Sequence, residues 1–224
     1  MKRSKNYLEK KGKTDRSGEF SPAEAMKLTI DSSISKFAGS VEVEVQLSLN
    51  QKQKSDSIRG TVQLPNQFGK VTKVLAIVDP ANIKFAKSAD ISGGEELVKD
   101  IEDGKIDFDV VIATPAMMPK IARLGKTLGK KGLMPNPKNG TVTTDVEKAI
   151  EKFKSGQKSF KLMQESKINL VIGKTDMGAE KLEENFQAFM TVIRDITKKY
   201  GPSVLKSIRV KPTMGPSLLV KVSE

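Results

Sequence analysis

The sequence predicts an α/β protein with two domains: a discontinuous α+β domain built from both termini, and a Rossmann-like α/β domain inserted into it. Towards both ends apolar and polar residues alternate, as in SVEVEVQLSL at 40–49, which indicates strands with one face in water. In the middle, VTKVLAIV at 71–78 and VVIA at 110–113 are almost continuously apolar, which is typical of parallel strands buried on both faces. We therefore assign residues 1–66 and 159–224 to domain one and residues 67–158 to domain two.

The first domain is predicted to begin with a polar arm and a capped helix. Residues 1–18 are polar and basic, which predicts a frayed or partner-ordered arm. Ser21 and Glu24 have the spacing of a capping box, with proline at the first helical position, so a helix should run to about Ile34. The alternating strand follows, and TVQLP predicts a further short strand.

Helices are predicted between and after the two buried strands of the second domain. The segment GGEELVKDIEDG places Leu97 and Ile101 four residues apart, on one face of a helix. A second helix is predicted at 116–124, and a third begins at a capping box, Thr144–Glu147, and ends near Gly156. This order is a βαβ unit with added helices, as in a Rossmann-like domain.

After the second domain the alternating pattern returns. SFKLMQ and KINLVI predict a hairpin, because two short alternating stretches follow each other closely. Apolar residues then recur at helical spacing from Leu182 to Ile196, which predicts a long helix stopped by Gly201 and Pro202. Two final strands are predicted at VLKSIRV and SLLVKV, joined through KPTMGP.

Composition narrows the classes of function. The chain has no Cys and no His, which excludes disulfides, ordinary zinc sites and His-dependent catalytic triads. Its net charge of +12 predicts a polyanionic partner. Residues 90–109 hold eight acids and two lysines, whereas residues 120–144 and 196–223 each hold six basic residues and no acid. This segregation predicts an oriented electrostatic footprint, with ordinary solubilising lysines as the alternative.

The stretch LGKTLGKKGLMPNPKNGT at 124–141 raises the question of a phosphate-binding loop. Gly-Lys-Thr occurs at 12–14, 125–127 and 173–175, but no copy has the glycine five residues earlier that a P-loop requires. No GxGxxG is present either, so the predicted Rossmann-like domain lacks the dinucleotide fingerprint. We interpret the stretch as a basic, glycine-hinged loop, which either contacts RNA transiently or is retained for folding.

A carboxylate- or metal-dependent enzyme is the rival interpretation. Asp107 and Asp109 precede a buried strand instead of following it, so we interpret them as a solvated strand start. Only Asp79 follows the first buried strand, and the stretch ATP follows the second. The sequence therefore predicts no enzymatic activity, no metal site and no cofactor.

Several long stretches, in order along the chain, resemble motifs of the bacterial L-one ribosomal protein family. LGKTLGKKGLMPNPKNGTVT resembles that family's LGR-x-LGPRGLMPNPK-x-GTVT, and KFAGSVEVEVQL resembles its KFDETVEV strand. RGTVQLP, FDVVIATPAMM and TMGP resemble further motifs of the family. The resemblance implies the same two-domain fold, with the first domain as the principal binder of RNA.

The resemblance also implies a function, since this family forms the mobile stalk of the large ribosomal subunit beside the tRNA exit site. Its members bind large-subunit rRNA, contact deacylated exit-site tRNA, and in many bacteria repress translation of their own mRNA. We therefore expect these three RNAs as partners, no membrane, a free monomer, and a cytoplasmic ribosome; a plastid ribosome fits the same sequence. The alternative is a free-standing RNA-binding translational regulator.

Site residues are carried over from the matching motifs. We expect RNA contacts from residues that offer donors, phosphate neutralisation or flat apolar surface: Lys36, Phe37, Ser40, Glu42, Asn169, Gly173, Lys174, Lys211, Thr213, Met214 and Gly215. The basic stretch offers a possible tRNA or secondary RNA contact through Lys126, Lys130, Lys131 and Lys138. Glu42 is expected to orient neighbouring donors. Without the resemblance, TMGP would be read as a structural turn and Phe37 as a core residue.

The chain departs from the family pattern at four places. Ala38-Gly39-Ser40 replaces Asp-Glu-Thr, which keeps a hydroxyl but loses two acids. Asn169 stands where many members have His, and Lys130-Lys131 replaces Pro-Arg. Lys211-Pro212 precedes TMGP where small hydroxyl residues are common, so one backbone donor is lost. These changes affect individual hydrogen bonds and leave the resemblance intact.

Overall fold

The computed structural model describes residues 4–13, 18–49, 58–69, 72–79, 83, 84, 86, 88–104, 107–163, 166–201 and 204–221, with backbone alone at 11, 13 and 138. The helices are α1 Lys5–Lys13, α2 Pro22–Asp31, α3 Glu95–Glu102, α4 Met118–Ile121, α5 Gly125–Lys131, α6 Val146–Lys154 and α7 Ala179–Thr197. The strands are β1 Glu19–Phe20, β2 Ser40–Leu47, β3 Arg59–Gln63, β4 Val74–Ile77, β5 Ile91–Gly93, β6 Val110–Ala113, β7 Gln157–Lys161, β8 Lys167–Lys174, β9 Leu205–Pro212 and β10 Leu218–Val220. This mixture of helices and strands confirms the predicted α/β class.

Contacts within the chain divide it into two compact units. Unit 1 comprises Met1–Gly69 and Phe160–Glu224, and unit 2 comprises Lys70–Ser159. Each unit has hydrophobic clusters of its own. The roles assigned to the two predicted domains remain predictions.

Unit 1 is built on a five-stranded sheet with the order β1-β10-β9-β2-β8. β2 lies between β9 and β8 and pairs antiparallel with both. Its alternating sequence buries Val41, Val43, Val45 and Leu47 on one face, as the pattern predicts. The opposite face of the sheet is thereby left to polar side chains.

Two helices cover the buried face of this sheet. α2 begins at the predicted capping box, in which the Ser21 hydroxyl accepts from the Glu24 N–H and the Glu24 carboxylate accepts from the Ser21 N–H. It ends at Asp31, earlier than expected. α7 places Phe189 in the core, where its ring meets Phe160 edge to face with centroids 5.6 Å apart.

The hairpin predicted from SFKLMQ and KINLVI forms only at its turn, where the Met163 N–H donates to the Lys167 carbonyl at 2.8 Å. β7 pairs with β3 in a separate two-stranded sheet, and β8 pairs with β2 along its length. A single bridge, Leu162 to Ile168, joins the two stretches. Phe160 explains the difference, because its buried ring packs where a Cβ at Gly60 would lie, which draws β7 to β3.

Unit 2 contains a parallel three-stranded sheet with the order β5-β4-β6. All four residues of β4 are buried, as its continuous apolar run predicts. On one face Leu75 packs with Ile101 of α3 and with Leu128 of α5. On the other face Val74 packs with Phe153 of α6. Helices therefore lie on both faces of the sheet.

Three local predictions are corrected around the sheets. The segment predicted as one helix at 116–124 is a 3₁₀ turn, the short α4 and a second 3₁₀ turn, and Pro119 lies inside the segment, in the first turn of α4. α6 begins after Asp145 without the capping box predicted at Thr144–Glu147, and the Asp145 N–H donates to Thr143 Oγ1 instead. Residues 5–13 of the predicted arm form α1.

The basic stretch at 124–141 is also corrected, because its first half is helical. Leu124 and Leu128 are buried four residues apart, and this apolar spacing fixes α5 despite its glycines. Gly132 ends the helix with a φ of +72°, a conformation that glycine adopts without strain. Among the described residues, no helix is both long and apolar enough to cross a membrane.

Candidate nucleic-acid interface

Three segments predicted to bind RNA meet at one end of the unit 1 sheet. The Ile34 N–H donates to the Met214 carbonyl at 3.2 Å, and the Thr213 N–H donates to the Ser40 carbonyl at 2.9 Å. The Thr175 N–H donates to the Gly39 carbonyl at 2.9 Å. The loop before β2, the turn after β8 and the turn after β9 are therefore tied to one another by backbone hydrogen bonds. We call this region the sheet end.

Glu42 organises the donors at the sheet end. Its carboxylate accepts from the Thr213 hydroxyl at 2.6 Å and forms an ion pair with Lys211 Nζ at 3.2 Å. The Thr213 hydroxyl also lies 3.2 Å from the Ser40 carbonyl. It donates its single proton to one of these two acceptors, so the lone pairs of its oxygen remain to accept a hydrogen bond. Glu42 thus contacts two neighbouring donors, and its role towards RNA stays a prediction.

The polar face of the sheet extends this arrangement along the strands. Glu42 pairs across to Lys211, and Glu44 lies between Arg209 on β9 and Asn169 on β8. Lys167 Nζ lies 3.7 Å from the Glu44 carboxylate. Cations and carboxylates therefore alternate across the face, which limits repulsion among the basic groups.

Two large apolar side chains lie exposed at the sheet end. Phe37 is 69% exposed and Met214 is 57% exposed. The interpretation of Phe37 as a core residue is therefore excluded. Exposed flat or polarisable groups beside ordered donors suit stacking on bases or riboses. Ser35 Oγ donates to the Phe37 carbonyl at 2.9 Å and fixes the backbone that bears the ring.

The glycines of the sheet end are required by packing inside unit 1. A Cβ on Gly215 would lie 2.5 Å from Pro212 Cγ and 3.0 Å from the Ser32 carbonyl oxygen. A Cβ on Gly173 would overlap Leu182 Cδ2. Gly173 is buried, so it shapes the turn and presents little surface of its own. Packing within unit 1 is thus a sufficient reason for these glycines.

The remaining predicted residues lie at the margins of the sheet end. Lys36 is exposed on the loop before β2, and Lys174 is half-buried opposite Ser40 at the end of β8. Asn169 is exposed further along β8. The structure thus brings most of the predicted set to one end of the sheet and places Asn169 along its polar face.

Sequence reasoning missed three residues of this region. Arg209 and Lys167 share the polar face, and strict alternation along their strands would have identified them. Thr175 was missed because it follows β8, where no strand periodicity applies. Its hydroxyl accepts from the Gly39 N–H at 3.1 Å.

The predicted secondary contact lies on unit 2. Lys126, Lys130 and Lys131 are exposed on α5, whose buried side chain is Leu128. Arg123, one turn earlier, is also exposed and was not predicted. Within the described part of the chain, none of the three lysines has an ion pair. Lys138 lies in the 3₁₀ turn Pro137–Asn139, and its side chain is outside the described atoms.

The three aspartates of unit 2 that the rival interpretation considers bond to neighbouring groups of the same unit. Asp107 pairs with Lys73 at 2.7 Å, and Asp109 accepts from the Lys73 N–H at 3.0 Å. The hydrogen bond from Lys73 to Asp107 raises the pKa of the lysine. Asp79 accepts from the Thr114 hydroxyl at 3.3 Å. Among the described residues, no group of three acids could hold a metal ion.

Comparisons with known proteins agree with the motifs. A sequence model for the family described as "Ribosomal protein L1p/L10e family" matches residues 27–216. The chain is 42% identical over 224 residues to the large ribosomal subunit protein uL1 of Lactobacillus gasseri, covering 97% of this chain and 96% of the relative. It is 40% identical to uL1 of Streptomyces griseus, covering 97% and 92%, and 40% identical to uL1 of Mycobacteroides abscessus, covering 98% and 94%.

Proposed function

The chain belongs to the ribosomal protein L1p/L10e family, and on that premise we propose that it is a structural constituent of the large ribosomal subunit. We propose that it binds large-subunit rRNA at the mobile stalk through the sheet end of unit 1. The observation that carries the proposal is the Glu42 carboxylate, which holds Thr213 and Lys211 beside the exposed Phe37 and Met214.

The chemistry of the sheet end suits a folded RNA. The lone pairs of the Thr213 hydroxyl are placed to accept from a ribose 2′-OH, a group that distinguishes RNA from DNA. Phe37 and Met214 offer apolar contact that excludes water from those hydrogen bonds. Lys36 and Lys174 can neutralise phosphates at the margin. Recognition would therefore depend on RNA shape, with a smaller contribution from charge.

We assign exit-site tRNA to the exposed lysines of α5. These lysines form a basic surface without exposed aromatic residues among them, which suits transient contact with phosphates more than base recognition. The proposed role is to assist release of deacylated tRNA. Replacement of these lysines should slow tRNA release from ribosomes while the stalk RNA stays bound.

We further propose that the chain represses translation of its own mRNA through the same sheet end. If rRNA and mRNA compete for one site, protein that is not bound to rRNA is available to bind the mRNA. Repression would then rise with the amount of free protein. The test is competition: unlabelled stalk rRNA should displace the labelled leader of the chain's own mRNA. Simultaneous binding of both RNAs would contradict a shared site.

The proposed role includes no catalytic step. It also implies where the chain is found in the cell. We place the chain on the ribosome in the bacterial cytoplasm. In an extract of its own cells, the chain should sediment with the large subunit. Recovery at the top of the gradient alone would favour a free-standing RNA regulator.

The decisive experiment compares a large-subunit stalk rRNA fragment with an unrelated duplex of equal length across a salt series. We expect the stalk fragment to remain bound at salt concentrations that release the duplex, because hydrogen bonds and apolar contacts survive screening. Equal affinities that fall together with salt would contradict the proposal. A chain with Thr213→Val and Lys211→Ala should lose the preference and keep its duplex affinity within a few-fold.

A further inference from the structure

The turn that follows β8 continues the sheet by means of a side chain. The regular pairing of β2 with β8 ends at Ser40 and Lys174, after which the chain turns away. One residue further on, the Thr175 N–H donates to the Gly39 carbonyl at 2.9 Å. The Gly39 N–H in turn donates to Thr175 Oγ1 at 3.1 Å. The threonine hydroxyl thus takes the place that a strand carbonyl would have held.

Gly39, one member of this reciprocal pair, is the last residue of the loop that bears Phe37. Gly39 is buried and its bond to Thr175 Oγ1 is partly buried, so its N–H loses a sheltered partner if the hydroxyl is removed. At the start of the same loop, Ser35 Oγ donates to the Phe37 carbonyl at 2.9 Å. A Cβ on Gly39 would lie 2.9 Å from that same Ser35 Oγ. The loop is therefore held tightly at both ends.

The ring itself receives little support from packing. Phe37 is 69% exposed, so its position depends on the backbone that carries it. A binding group that is held in place before the ligand arrives loses less conformational entropy on binding. Whatever holds residues 35–39 therefore contributes to affinity for RNA, even without touching it.

We propose that Thr175 is a positioning residue for RNA recognition, and that it acts on RNA through Phe37. Its hydroxyl holds Gly39, Gly39 fixes the end of the loop, and the loop presents the ring. This inference rests on the proposed function, because it assumes that Phe37 meets RNA at the sheet end. Thr175 itself lies in none of the motifs that resemble the family.

The first test replaces the hydroxyl and then restores it. Thr175→Val keeps the shape of the side chain and removes the acceptor, and we expect Kd for the stalk rRNA fragment to rise about tenfold. Thr175→Ser keeps the acceptor and should stay within about twofold of the parent chain. Equal loss in both variants, or no loss in Thr175→Val, would overturn the proposal.

A matched control is present in unit 2. Thr143 Oγ1 accepts from the Asp145 N–H at 3.1 Å, a bond of the same length from backbone to threonine hydroxyl, but exposed and between near neighbours in sequence. Thr143→Val should leave Kd for the stalk fragment unchanged. Amide exchange should accelerate at Gly39 in Thr175→Val alone. The salt slope of binding should not change, because no charge is altered.

A double-mutant cycle distinguishes positioning from general loss of structure. If Thr175 acts through Phe37, Thr175→Val should have almost no effect on Kd in a chain that already carries Phe37→Ala. Effects that multiply in the double variant would overturn the proposal. The fraction of folded protein is measured for each variant, so that unfolding is not counted as lost affinity.

Failure of the two proposals can be told apart in the same data. If the parent chain binds the stalk fragment no better than an unrelated duplex, the proposed function fails. If the parent chain shows the preference and Thr175→Val retains it in full, only the positioning role fails.

Discussion

The sheet end of unit 1 and the exposed side of α5 in unit 2 are both basic, but they are built on different principles. At the sheet end, the ammonium group of Lys211 is paired with Glu42, and the neighbouring hydroxyl is oriented by the same carboxylate. On α5, Lys126 and Lys130 extend into solvent without a carboxylate partner among the described residues. Positive charge alone therefore does not distinguish the two surfaces.

The difference teaches what each surface is suited to bind. A region whose charges are partly neutralised and whose polar atoms are fixed selects a ligand by shape and hydrogen bonding. A row of free lysines attracts any phosphate backbone, and its affinity falls steeply with salt. Five changes would break or sharpen this contrast, and they follow from the largest expected effect to the smallest.

Gly215→Ala should have the largest effect on stalk RNA binding. The added Cβ would meet Pro212 and the Ser32 carbonyl, which is backbone and cannot move aside. We expect Kd to rise by about 100-fold and the free energy of unfolding to fall by about 2 kcal/mol. Gly129→Ala is the control, because nothing lies within 4 Å of its Cβ position in α5. Unchanged binding by Gly215→Ala would show that the turn is not part of the site.

Phe37→Ala should come next, with a rise in Kd of about 30-fold, within the range found when a stacking aromatic is removed. Because the ring is largely exposed, the free energy of unfolding should change by less than about 0.5 kcal/mol. Isothermal titration of the stalk fragment and urea unfolding measure the two quantities. A large loss of stability with little loss of affinity would return Phe37 to a structural role.

Thr213→Val should raise Kd for the stalk fragment by about tenfold, since it removes the oxygen that Glu42 orients. Thr213→Ser retains the oxygen and should restore most of the affinity. A DNA duplex of the same sequence should bind both variants equally, because it has no 2′-OH to lose. Equal losses for RNA and DNA would argue against recognition of the ribose.

Replacing Lys126, Lys130, Lys131 and Lys138 with Ala should change stalk RNA affinity by less than about threefold. The same variant should bind an unrelated duplex more weakly and with a shallower salt dependence, by up to about 3 in the logarithmic slope. Filter binding across a salt series measures both. A large loss of stalk RNA affinity would contradict the division of roles between the two surfaces.

Acid should lower the stability of unit 2 by protonating Asp90, at pH values well below neutral. The Val74 N–H, and then Lys154, lower the pKa of this carboxyl below its usual value. Its contribution to stability is therefore complete above about pH 4 and is lost as the pH falls through the lowered pKa. The difference in unfolding free energy between the parent and Asp90→Asn should be constant from about pH 5 to 8 and shrink below about 4. A difference that persists at lower pH would refute this assignment.

Sequence periodicity predicted most strands and the long helix, because burial imposes a period on every regular element. It failed where tertiary contacts decided between local choices. α5 forms in a glycine-rich stretch because Leu124 and Leu128 are buried together, and glycine content alone suggested a loop. β7 leaves its expected partner because Phe160 enters the core beside Gly60. Neither contact is local in sequence.

The candidate site was predictable to the extent that it lies in recognisable motifs. Thr213, Met214 and Gly215 were identified through TMGP, and Phe37 through the stretch before β2. Their exposure and mutual bonds could not be predicted, since they depend on how three distant segments meet. Thr175 lies 136 residues from its partner Gly39, and no pattern in the sequence joins the two.

The pairing of β3 with β7 has a consequence for how the chain could have been assembled. The two strands are neighbours, and the Leu162 N–H donates to the Ile58 carbonyl at 2.8 Å. Residues 58 and 162, which flank the insert along the chain, are therefore adjacent within unit 1, and the insert leaves the five-stranded sheet uninterrupted. Such an entry point tolerates modules of different length, and evolution could exchange the insert while the rest of the protein kept its fold.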